Sequence, residues 1–267
     1  MTTTIDVLNL ILATLPGLLI AVYIYYKDIH DKEPHKYLIW CFLFGALSTL
    51  PAIWLERWGM SLGYDVSPDI LTTAIFAFVV VAGSEELVKY VFLRGYIYNK
   101  NEFDEPLDGI VYAVMIGMGF ATLENILYAT NYGIQTTIMR AFTAVPAHAA
   151  FAVIMGYYVG LAKFSDTNKV PLLLQGLIGA IALHGAYDFF IFQKNFPALA
   201  GLTMVTLVIG IVLSRRMIKI HQQMSPFNTD EQITDDTIVS NEFDFIPDES
   251  KNPYKDNDEN DDEYTLL

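Results

Sequence analysis

The sequence predicts an all-α polytopic membrane protein of about seven transmembrane helices around a polar intramembrane site, N-terminus outside and C-terminus cytoplasmic. Three observations predict it. The chain is 53% hydrophobic and only 17% charged, with a mean hydropathy of +0.36, outside the range of an average soluble domain. Seven apolar windows of roughly 20 residues run along it, the length needed to cross a bilayer as helix. Ionisable residues interrupt four of those windows, where a charge costs several kcal/mol unless it is paired, protonated or wet.

The windows are residues 5–26, 37–55, 70–93, 107–128, 141–162, 171–192 and 197–213. The first has no basic flank before it and no small-residue cleavage site after it, so it reads as a retained helix rather than a signal peptide. The sixteen Lys and Arg of the chain set the orientation. Lys27, Lys32 and Lys36 follow the first window, Arg94 and Lys100 the third, Lys163 and Lys169 the fifth, and Arg215, Arg216 and Lys219 the seventh. These segments alternate so as to share one side, the cytoplasm by the positive-inside rule. Arg57, Arg140 and Lys194 are the cations of the opposite side, and Arg140 reads there as an interfacial anchor.

The net charge of −14 is misleading as a description of the helices. Fourteen acidic residues and two lysines lie between Ser225 and Leu267, so −12 belongs to the tail and −2 to the first 224 residues. We therefore expect a transmembrane domain over 1–224 and an acidic, disordered, solvating cytoplasmic tail over 225–267. The single cysteine, Cys41, lies in an apolar run and reads as a packing residue. No basic patch with interleaved aromatics is present, which leaves nucleic-acid binding unsupported.

The polar residues inside the windows form a constellation. Glu85-Glu86-x-x-Lys89 lies in the third, Phe120-x-x-x-Glu124-Asn125 in the fourth, His148 in the fifth and His184-x-x-x-Asp188 in the sixth. Spacing of i,i+4 stacks Glu85 over Lys89 and His184 over Asp188, while Glu86 points about 100° away from Glu85. The third and fourth helices form a hairpin, as do the fifth and sixth. Glu85 and Glu124 are equidistant from the turn of the first, and His148 and His184 from the turn of the second. At 1.5 Å per residue, both pairs lie about 27–29 Å from their turn centres. Four ionisable side chains from four helices are thus expected at one level, in the outer half of the bilayer. The third helix is too long for a straight span, so it should tilt, protrude or break near Gly83-Ser84, and Arg94 must snorkel or pair. Asp108 reads as a helix cap, Asn125 as an interhelical hydrogen-bonding residue, and Gly109, Gly117 and Gly119 as close-packing positions. His30 and His35 read as interfacial, and His221 carries no signal.

This set supports peptide hydrolysis. Glu85 or Glu86 can act as general base on a water, with His184 or His148 as acid or oxyanion partner and Glu124 in the same centre. Lys89, Asn125 and Asp188 are supporting residues. The same atoms also read as a metal site, with His148, His184 and Glu124 as the candidate ligands of zinc or another divalent ion, although no HExxH is present. A proton-coupled carrier or ion path, or an inactive scaffold, uses the same kind of cavity.

As a set, these motifs, with Asp108-Gly109 before the fourth helix, resemble the PrsW family of intramembrane proteases. That family is distantly similar to the CAAX prenyl proteases and bacteriocin-processing membrane proteases. The resemblance covers roughly Tyr23 to Arg216. It implies a multi-pass protease of the bacterial cytoplasmic (inner) membrane, working in a lipid bilayer on a membrane-protein substrate with a transmembrane segment. It further implies site-1-type cleavage of an anti-sigma-factor-like protein in a stress response, by either a glutamic-type or a metal-dependent mechanism.

Overall fold

Helix α1, Val7–Lys27, begins where Asp6 accepts a hydrogen bond from the Asn9 amide at 2.7 Å, the usual way a short acid satisfies an orphan N–H. The structure, a computed structural model, describes residues 6–193 and 196–228. Then follow α2, His35–Ser61, and a long α3, Ile70–Ile97. After these come α4, Pro106–Tyr132, the short α5, Ile134–Phe142, α6, Ala144–Lys163, α7, Lys169–Ile191, and α8, Ala200–Gln223. The described residues contain no strand. Seven helical segments are long and apolar enough to cross a membrane, with α5 and α6 making up one of them. The chain is therefore a multi-pass membrane protein by helix length and composition.

α4 is the centre of the bundle. Its apolar window is 78% buried, against 28–33% for those of α1, α2, α7 and α8, so those four leave most of their apolar surface for lipid. α1, α2 and α6 pack directly on α4, α7 and α8 pack on α6, and α3 lies between α2 and α7. Two contacts are close enough to require glycine. A Cβ on Gly109 would collide with the backbone of Gly156 and Gly160, and one on Gly119 with that of Phe42. Without a hydrophobic force between helices in lipid, such backbone contact is what holds them.

Three boundaries differ from the apolar windows. α2 continues past Leu55 to Ser61, so Glu56 and Arg57 are helical. α8 continues past Leu213 to Gln223, because Arg, Lys and Gln are good helix formers even though they end the apolar run. α3 does not break at Gly83-Ser84. It is continuous, with π-helical turns at Phe76–Val81 and Leu93–Ile97 flanking the α-helical stretch that carries Glu85, Glu86 and Lys89. Such wide turns are rare and recur at functional positions. Arg94 is half-buried and lies over the Tyr98 ring at 4.1 Å. Gly133, at φ +78°, turns the chain from α4 into α5, a conformation that favours glycine.

The expected tail lies almost wholly outside the described residues, as does Lys194. Cys41 is fully buried and free. His35 stacks on Tyr25 with ring centroids 5.2 Å apart.

Candidate active site

The four-helix convergence is present. α3 supplies Glu85, Glu86 and Lys89, α4 supplies Glu124 and Asn125, α6 supplies His148, and α7 supplies His184 and Asp188. The one-turn i,i+4 spacing and the hairpin register place them together. His148, Glu124 and His184 lie about one to two turns from the ends of their helices remote from the lysine-bearing 28–34 loop.

Lys89 holds the centre. Its Nζ donates to Glu86 Oε1 at 2.8 Å and Glu85 Oε2 at 3.0 Å, reaches His148 Nδ1 at 3.3 Å, and stands 3.9 Å over the Phe120 ring. Glu86, left open by the sequence because its direction depends on helix rotation, proves to be doubly anchored: Oε1 also meets His184 Nδ1 at 2.9 Å. Glu85 pairs only with Lys89 among the described residues.

Both histidines are held from behind at Nε2 by a carboxylate, while Nδ1 meets Glu86 in His184 and the Lys89 ammonium in His148. His148 Nε2 meets Glu124 Oε2 at 2.9 Å, and His184 Nε2 meets Asp188 Oδ2 at 3.2 Å. The rings are 5.2 Å apart, and Phe151 stacks on His184 at 4.5 Å. A carboxylate behind an imidazole fixes its orientation and raises its basicity, the usual support of a metal-binding histidine.

One oxygen or nitrogen each from Glu85, Glu86, His148 and His184 lie within 4.8 Å of one another, all from buried residues. This donor set fits a divalent ion such as zinc. It differs from the set expected from sequence in that Glu124 is not among these donors, its Oε2 being engaged by His148 Nε2 and by Arg140, 2.6 Å away. Glu85 and Glu86 take its place.

Arg140 is the residue the sequence misplaced. It is not an interfacial anchor. It pairs with Glu124, donates from Nε to Asn125 Oδ1 at 3.2 Å and covers the Tyr128 ring at 3.8 Å. Asn125 in turn donates to the Ala13 carbonyl at 3.1 Å, the interhelical bond expected of it. The side chains of Glu124 and Arg140 are 15% exposed and that of Asp188 13%, against 1–5% for Glu85, Glu86, Lys89, His148 and His184. The cluster is therefore least buried on the Glu124 and Asp188 side.

A polytopic helical chain with this set is closely defined by comparison. A family model described as "PrsW family intramembrane metalloprotease" matches residues 33–214. The chain belongs to the PrsW family. Relatives named "Protease PrsW" are 39% identical over 180 residues in Geobacillus kaustophilus (strain HTA426), covering 67% of this chain and 78% of the relative. In Bacillus subtilis (strain 168) the identity is 36% over 177 residues, covering 65% and 78%. In Clostridioides difficile (strain 630) it is 35% over 185 residues, covering 67% and 77%. No solved structure matches. The chain is thus a peptidase of a membrane-embedded family, and Glu85, Glu86, His148 and His184 fall inside the region that matches PrsW.

Asp108 does cap α4, accepting from the amides of Asp104 and Glu105 at 2.8 Å each. It also belongs to a second polar cluster that the sequence did not reveal. Glu33, in the loop between α1 and α2, shares a hydrogen bond with Asp108, and Tyr112 donates to its Oε2. Asp28 Oδ2 accepts from the Glu33 amide at 3.1 Å. Asp28, Glu33, Glu105 and Asp108 are all buried. Burial pushes the carboxyls of Asp28, Glu33 and Glu105 up, to about 6, about 7 and about 7.

Proposed function

We propose that this chain is an intramembrane endopeptidase that cuts a membrane protein in or beside its transmembrane segment, with Glu85, Glu86, His148 and His184 as its catalytic centre. One observation supports this most: His148 and His184 each rest Nε2 on a carboxylate, and each offers a donor atom within 4.8 Å of donor oxygens of Glu85 and Glu86. Glu86, His148 and His184 are the ligands this arrangement offers a divalent metal, with Glu85 beside them. A bound ion would supply Lewis-acid polarisation of water or of the scissile carbonyl.

The chain's own residues do the rest. Glu85, tied to one partner only, is the carboxylate available to take a proton from the attacking water and return it to the leaving amine. Lys89 keeps the two glutamates convergent and offsets their mutual repulsion. Glu124 and Asp188 orient the imidazoles, and Arg140 and Asn125 fix Glu124 through a buried ion pair and a shared hydrogen bond. Phe120 and Phe151 pack on the histidines and keep bulk water from that side.

The N-terminus faces outside and the 28–34 loop faces the cytoplasm, as the lysine distribution argues. The centre then lies in the outer half of the bacterial inner membrane, suited to cleavage near the extracytoplasmic face. Site-1 cleavage of an anti-sigma-factor-like protein is the substrate reading that this placement favours. Comparing membrane proteomes of cells with the wild-type chain and with Glu85→Gln tests it: an anti-sigma-like protein should accumulate uncut in the variant. Identical proteomes would overturn the reading.

A further inference from the structure

α2 turns one continuous stripe toward the bundle: Leu38, Cys41, Gly45, Ser48, Ala52 and Gly59 are all buried. Glu56 is four residues beyond Ala52 and three before Gly59, so it falls on the same face. A carboxylate on the inward face of a spanning helix marks a functional position unless a partner explains it. Contacts on either side fix its place. Ala52 and Leu55 pack with Val88 and Phe120, and Gly59 meets Val80. Val80 and Val88 bracket Glu85 and Glu86, so Glu56 faces the turn that carries them. Glu85, Glu124, His184 and Asp188 are within its electrostatic reach. It is only half-buried, whereas Glu85 and Glu86 are 4% and 1% exposed. Glu56 therefore lies at the less buried edge of the cluster.

The other carboxylates have partners. Glu85 and Glu86 share Lys89, Glu124 has Arg140, and Asp188 has His184. Glu56 makes no ion pair among the described residues, and the carboxylates of Glu85, Glu124 and Asp188 are among the charges that act on it. Five carboxylates face Lys89 and Arg140. Two further positive charges, from a divalent ion or from protons on both histidines, still leave one negative charge over, and Glu56 is the carboxylate without a counter-ion. Half-buried and repelled by its neighbours, it is stabilised by a cation from outside and gains nothing from a neutral group.

We propose that Glu56 forms a subsite for a lysine or arginine side chain of the substrate, at the edge of the catalytic cluster. The inference rests on the protease reading above. A long basic side chain can lay its methylene stem along apolar helix surface and bring its charge to the boundary. On the extracytoplasmic flank of a spanning segment such residues are scarce, so the subsite discriminates among membrane proteins that share apolar spans.

The test uses the full chain in proteoliposomes and a series of synthetic single-span peptides. The peptides are identical except for Lys, Arg, Gln or Glu at successive positions across one flank. Wild type should cleave the Lys and Arg peptides with kcat/KM about tenfold above the Gln peptides at one or two adjacent positions. The difference should lie mainly in KM. Glu56→Gln should collapse that ratio, and Glu56→Lys should invert it toward the Glu peptides. A wild-type ratio near one at every position, or a ratio unchanged in Glu56→Gln, overturns the subsite. Binding of labelled Lys and Gln peptides to the Glu85→Gln protein in nanodiscs separates the two claims. If no peptide is cleaved, the protease reading fails for these substrates. Equal binding of both peptides sinks the subsite whatever the activity.

Discussion

Two buried acidic clusters, at opposite ends of α4, are built on opposite principles. Around Glu124 the carboxylates are matched by cations: Lys89 bridges Glu85 and Glu86, and Arg140 holds Glu124. Around Asp108 they are matched by one another and by hydroxyl and amide donors: Glu33 bonds Asp108 and Tyr112, and Asp28 takes the Glu33 amide. The first sets its acids against cations and imidazoles, where chemistry can use them. The second keeps its acids partly protonated, which suits an anchor that ties the 28–34 loop to α4. Burial alone therefore does not mark a catalytic acid; a cation and an imidazole beside it do.

The largest expected effect tests the charged cluster. Glu85→Gln or His184→Ala should lower cleavage by about 10²–10⁴-fold or more while the protein still inserts and elutes as wild type; full activity in both would remove the centre from this site. Glu33→Gln, at the other cluster, should cleave normally in the same assay. Next comes Arg140→Met. It leaves Glu124 buried without its ion-pair partner, which should cost about 3–5 kcal/mol of stability and about 10–100-fold in activity through His148. The double variant Arg140→Met, Glu124→Gln should regain most of the stability and little of the activity, as read by thermal unfolding in detergent and by peptide cleavage. Recovery of both together would make the pair purely structural.

The smallest effect belongs to the second cluster and depends on pH. Glu33 has its folded-state pKa raised, from 4.5 to about 7, so the fold binds the proton more tightly than the unfolded chain does. Stability is then present below about pH 4.5 and is lost as pH rises toward 7. From pH 5 to pH 8 the loss is on the order of 2–3 kcal/mol, at about 1.4 kcal/mol per unit. Thermal unfolding should shift down over that interval in wild type and by a smaller amount in Glu33→Gln, whose amide cannot ionise but which retains Asp28 and Glu105. A wild-type midpoint that rises with pH would contradict the protonated anchor.

The two clusters were unequally visible in the sequence, for physical reasons. Glu85, Glu86, Glu124, His148 and His184 stand out because they interrupt apolar windows, and helical hairpins convert equal distance from a turn into equal height. Asp28, Glu33 and Glu105 sit in polar connections, where an acid looks unremarkable until folding buries it. Glu56 and Arg140 fall just past the edges of the 37–55 and 141–162 windows, and hydropathy ends a helix where charge begins although the backbone continues. The direction of Glu86 depends on the rotation of α3, which two π-helical turns reset; no periodicity in the chain announces them.

The central claim is that Glu85, Glu86, His148 and His184 form one metal-ready catalytic centre. Metal content and cleavage measured on the same purified preparation test it most directly. The account predicts about one equivalent of a divalent ion per chain, lost together with activity in His184→Ala and on chelation, and regained together when the ion is restored to wild type. Full cleavage by a chain that holds no stoichiometric metal, before or after chelation, would contradict it.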